Sequence, residues 1–192
     1  MGPTFHSIRD QTDLGWRPRL WTDRQRTAGI RLADGMESPM VQLPLSGGCA
    51  CGFLRYELSQ APLMIYNCHC RNCQKISGGA FNTAAGVPEG GIRFSAGDPA
   101  RVEWNADSGR RRFGWFCSAC GSRIANGAVP SNGVLSLRTG TLDNVSWIQP
   151  VGDTFTSSAQ PWVRFVDNGL QSQRAPESYA PFIAAFAALG LF

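Results

Sequence analysis

Lysine is nearly absent from this chain. Of its 18 basic residues only Lys75 is a lysine, histidine appears twice, and the arginines are scattered rather than gathered into blocks. The formal net charge of +4 over 192 residues is mild and names no partner by itself. A nucleic-acid groove needs a wide basic stripe with interleaved aromatics. The one basic cluster, "RRR" at 110–112, follows the turn-like "NADSG" and reads instead as a solvated strand end. No apolar run reaches the roughly 18 residues of a membrane-spanning helix. The start shows neither an apolar h-region nor a small-residue cleavage site, so the expectation is no secretory signal and a reducing, cytoplasmic setting. Solenoid-period repeats and low-complexity tracts are missing too.

What is present suffices for one well-buried domain. Hydrophobic residues make up 43%, with 22 Gly and 12 Pro, a turn-rich composition whose short apolar runs point to β structure. Residues 1–43 differ from the rest, with six Arg, five acids, two Trp and no sustained apolar periodicity, and are expected to form an extension outside the core. Met36 and Met40 just before the first convincing strand make a start-site artefact a further expectation there. From Ser46 on, short strands alternate with glycine. "FLRYEL" (53–58) places Leu54, Tyr56 and Leu58 on one face. "RVEW" and "RRFGWF" flank a turn as a hairpin, "VLSLR" (134–138) follows "PSNG", and "WVRFV" (162–166) reads as a late strand. The end, "YAPFIAAFAALGLF", predicts a short helix packed on the body, in a tail from 177 to 192.

Seven cysteines, an odd number, need an account. "GGCACG" supplies Cys49 and Cys51, and "FCSACGS" supplies Cys117 and Cys120 in a C-x-x-C closed by Gly121. Such a turn aims both sulfurs at one point and lets backbone N–H groups donate to the thiolates. Four thiolates complete a closed tetrahedral zinc site, whose binding energy is folding energy. The rivals are a redox pair or disulfides, and neither a thioredoxin-like βαβ pattern nor an export signal supports them.

The remaining three, Cys68, Cys70 and Cys73 in "NCHCRNCQ", fit one tight loop and a second ion with an open fourth position. His69 filling that position is the alternative, although side-chain alternation turns it away from its neighbours. All-sulfur ligation favours zinc or an iron–sulfur cluster over hard cations. Three thiolates on Zn²⁺ carry about one net negative charge, which weakens activation of a bound water and suits an incoming thiol instead.

In order along the chain, "LSGGCACGFLRYEL", "NCHCRNCQKISGGAF", "FCSACGSRIA", "LRTGTLDN" and "SSAQPWVRF" resemble the glutathione-dependent formaldehyde-activating enzyme family, also called the centromere protein V/GFA domain family. The resemblance covers about residues 44–176. It implies a mainly β, β-tent zinc-knuckle fold of short antiparallel strands, with two zinc ions as cofactors. It also implies a carbon–sulfur lyase that condenses formaldehyde with glutathione to S-(hydroxymethyl)glutathione. Carried over, the structural zinc ligands fall on Cys49, Cys51, Cys117 and Cys120, and the catalytic-type ligands on Cys68, Cys70 and Cys73. Arg71 and Lys75 are candidates to hold glutathione carboxylates, against a reading as solvated surface charges. Ser77 and Gly78 bring backbone N–H groups toward a ligand or merely turn the chain. Trp162 lines a pocket or packs in the core. Two other functions stay open: a lyase acting on a larger electrophile, and a non-enzymatic zinc-stabilised binding module of the kind described for some relatives.

Overall fold

A computed structural model describes residues 40–106 and 108–192. The expectations for residues 1–39, including the extension and its start site, lie outside the described residues. Eleven strands among the described residues form two sheets. The smaller has the order β1 (Leu45–Gly48), β2 (Arg55–Leu58), β5 (Ile92–Ala96). The larger comprises β3 (Met64–Cys68), β4 (Asn82–Pro88), β6 (Ala100–Asn105), β7 (Arg111–Phe116), β8 (Arg123–Ala128), β9 (Val134–Arg138), β10 (Gly152–Thr154) and β11 (Leu170–Ser172). Its order is β11-β10-β3-β4-β9-β8-β7-β6. Two helices complete the set, α1 (Arg71–Ser77) and α2 (Ala180–Ala187).

Alternation builds the small sheet. Leu54, Tyr56 and Leu58 are buried, while Arg55 and Glu57 turn outward to pair with Asp143 and Arg93. Gly47 in β1 has no room for a side chain, because a Cβ there would lie 2.4 Å from the Tyr56 ring. Central β3 is buried at every position, as expected of a strand covered on both faces. The hairpin of β6 and β7 and strand β9 fall where the sequence places them.

Pairing is antiparallel except at β10, which runs parallel to both β3 and β11. The expected strand at 162–166 does not form. Its backbone bonds locally instead: Val163 N–H donates to Gln160 O (3.0 Å), and Val166 N–H to the Asp153 carboxylate (2.7 Å). A short apolar run reports burial and does not by itself specify a strand partner. The edge strand on that side of the sheet is β11. At the C-terminus, Phe182 and Phe186 recur one helical turn apart and join the core, with Phe182 against Tyr66 of β3.

Candidate metal centres

The four-cysteine set forms where two turns meet. Cys49 and Cys51 sit in the connection from β1 to β2, and Cys117 and Cys120 in the turn from β7 to β8. Their sulfurs all lie within 4.8 Å of one another, with Cys49–Cys51 at 3.5 Å and Cys51–Cys117 at 3.8 Å. A tetrahedral ion with Zn–S bonds of about 2.3 Å needs sulfurs about 3.8 Å apart, so the donor set fits. Leu54 N–H donates to the Cys49 sulfur at 3.2 Å. Gly121, in the left-handed region at φ 75°, lets its N–H close on Cys117 O at 2.8 Å. All seven cysteines are free thiols.

Their ionisation shows the strain that a cation relieves. The Ser122 hydroxyl and backbone hold Cys120 down at about 5. The Phe53 backbone favours the Cys51 thiolate, yet the neighbouring sulfurs of Cys49 and Cys120 push it up to about 12. Like charges this close cannot all form without a metal.

The second set is a strand end running into a helix start rather than a loop. Cys68 ends β3, Cys70 caps the N-terminus of α1, and Cys73 lies in its first turn, donating its N–H to the Cys70 sulfur at 3.4 Å. These sulfurs also fall within 4.8 Å of one another. Cys73 is held at about 3, first because the Cys68 and Cys70 thiols donate to it, and also by the charge of Arg138. Cys68 is pushed far up, first by its hydrogen bonds to Cys70 and Cys73. Three soft donors around a gap fit a thiophilic ion.

His69 is fully buried and stands outside this group. Its Nε2 lies 2.8 Å from Asp153 Oδ1, and its ring packs between Phe81 and Phe165. Asp153 also accepts from Asn67 Nδ2 (3.2 Å) and from Val166 N–H. The carboxylate thus joins β3, β10 and the 160–166 segment behind the cysteines. Gln74 anchors the other side, with its Nε2 donating to His69 O (2.6 Å) and Ser158 O (2.8 Å). Neither Asp153 nor Gln74 was singled out in the sequence; a lone acid in "VGDTF" carries no spacing signal.

Cys68, Cys70 and Cys73 open on a cavity of about 620 Å³, whereas none of the other four cysteines lines it. Arg71 reaches it, as do Arg110, Arg112, Arg138 and Arg174, and no described lining residue is a carboxylate. The "RRR" cluster is thus only partly a solvated strand end: Arg111 pairs with Glu103, but Arg110 and Arg112 face the cavity. Arg138 is buried, its Nη1 3.9 Å from the Cys73 sulfur. Lys75, Ser77 and Gly78 are exposed and outside the lining, and Gly78 ends α1 in a left-handed conformation. Trp162 is 73% exposed on a turn and likewise lies outside.

A sequence profile for the glutathione-dependent formaldehyde-activating enzyme family matches residues 44–158. The chain belongs to that family. No curated protein matches it. Among solved structures, a protein from Rhodobacter sphaeroides is 18% identical, with a TM-score of 0.43, over 54% of this chain and 92% of that one. Among the described residues, no helix is long and apolar enough to cross a membrane.

Proposed function

We propose that the chain is a zinc-dependent carbon–sulfur lyase that forms or cleaves adducts between glutathione and an aldehyde, such as S-(hydroxymethyl)glutathione. The observation that carries this reading is the asymmetry of the two cysteine sets. Three cysteines border a cavity of ligand size, while the other four gather away from it. In this reading Cys49, Cys51, Cys117 and Cys120 hold a structural ion, and Cys68, Cys70 and Cys73 hold one with an open position. Zinc bound there would keep a thiol ionised near neutral pH or polarise an aldehyde oxygen.

The chain's own residues supply binding and orientation. Arg138 sets a fixed positive charge beside Cys73, which favours an anionic sulfur arriving there. The other cavity arginines present forked donors suited to carboxylates. Addition needs the thiol sulfur to bond to the carbonyl carbon and the thiol proton to end on the oxygen; cleavage is the reverse. The demand is mostly positional.

The test is zinc content per chain on anaerobically purified protein, before and after glutathione and desalting, with adduct formation followed by exchange NMR. Two zincs, one of them responsive to glutathione, and adduct exchange faster than in buffer are expected. One inert zinc and no acceleration would overturn the lyase and leave a zinc-stabilised binding module.

A further inference from the structure

The aldehyde is open in that reading, and the charge of the cavity bears on it. Its five arginines arrive from separate places: Arg71 from α1, Arg110 and Arg112 from the start of β7, Arg138 from the end of β9, and Arg174 from beyond β11. Arg138 is the most telling. It is only 6% exposed, and its Nε and Nη2 have no hydrogen-bond partner. A guanidinium keeps its charge in proteins, and among the described residues only the Cys73 sulfur, 3.9 Å from Nη1, meets it as an anion, so its remaining donors suit an incoming one.

A charge count sharpens the point. Three thiolates on a divalent ion set about one negative charge against the arginines. Glutathione bound as thiolate, with two carboxylates and one ammonium, sets about two more. Among the described lining residues roughly two guanidiniums then stay unmatched, and neutral formaldehyde offers them nothing.

We propose that the electrophile at this site is itself an acid, an aldehyde bearing a carboxylate next to its carbonyl, with Arg138 as the residue that selects it. The proposal rests on the lyase reading. A carboxylate one bond from the reacting carbon lies within a few ångströms of the attacking sulfur, the same scale as the 3.9 Å from Arg138 to Cys73. The chemistry balances without a further reactant. The S–C bond forms from the thiolate, the carbonyl π pair moves to oxygen, that oxygen takes from water the proton the thiol gave up on binding, and the carboxylate is unchanged.

Isothermal titration of the full zinc-loaded chain tests this with S-carboxymethylglutathione and S-methylglutathione, stable thioethers that differ by one carboxylate. The carboxylated ligand is expected to bind at least about tenfold tighter. Arg138→Gln should bring the two within about twofold, while Arg138→Lys keeps most of the preference. A preference that survives Arg138→Gln overturns the role of Arg138. Equal affinities in the unmodified protein, which need no variant to fold, overturn the acidic electrophile and leave the lyase standing. If neither thioether nor glutathione binds, the lyase reading falls and takes this one with it.

Discussion

Tyr56 shows how one residue carries both packing and titration. Its ring occupies the space denied to a side chain at Gly47, and its hydroxyl shares a 2.8 Å hydrogen bond with Thr141. Burial pushes its pKa up to about 12, with Thr141 pulling slightly the other way. Above the ordinary value of about 10, the unfolded chain releases this proton while the folded chain keeps it. The stability from neutral Tyr56 is therefore complete below pH 10 and declines toward pH 12, by about 1.4 kcal/mol per unit. Tyr56→Phe should flatten the alkaline fall in unfolding free energy by about that slope, read from urea titrations between pH 10 and 12. An unaltered slope would reject the assignment. At the same scale, Asp153 gathers three donors within a fully buried position and so aligns the backbone on which Cys68 and Cys70 stand.

Among the elements, α2 is the one whose removal is cheapest to imagine and costliest to make. Phe182 and Phe186 are each 4% exposed, and Tyr66, which Phe182 meets at 6.4 Å between ring centroids, is a wall of the cavity. Tyr179, just before α2, packs on Tyr66 at 5.6 Å and lines the cavity as well. The last elements of the chain therefore brace the site. Phe186→Ala should destabilise by about 3–5 kcal/mol through lost burial and a residual void. A chemical denaturation curve displaced by under about 1 kcal/mol would show α2 to be a surface ornament.

For the whole molecule, the four-cysteine set is a staple between sheets. Cys49 and Cys51 come from the three-stranded sheet, Cys117 and Cys120 from the eight-stranded one, with 66 positions between Cys51 and Cys117. On the proposed two-ion reading, metal energy there would act as folding energy, whereas the three-cysteine set serves one local junction of β3 and α1. Cys117→Ser should lose one zinc and several kcal/mol of stability, and Cys73→Ser should lose one zinc with the melting temperature nearly kept. Metal analysis beside thermal denaturation separates them; equal destabilisation by the two substitutions would remove the division of labour.

Sequence spacing determined which cysteines lie close within each motif, since C-x-C and C-x-x-C hold sulfurs near one another through covalent geometry, while the joining of Cys49 and Cys51 to Cys117 and Cys120 took the tertiary fold. Spacing determined equally the strands with clean alternation, such as 53–58 and 134–138, because period two reports burial on one face directly. Three-residue β10 and β11 are too short to show a period, and the apolar run at 162–166 pairs with no strand, so this edge of the sheet was not legible. The cavity is the clearest case of what only tertiary structure decided. Arg71, Arg110, Arg112, Arg138 and Arg174 stand up to about a hundred positions apart, and each alone looks like surface charge. They converge because β3, β4, β9, β8 and β7 lie side by side in one sheet, with α1 beginning and β11 ending near the same cysteines. Local pattern encodes what neighbours on the chain must do; a site assembled by long-range pairing exists only once the sheet has closed around it.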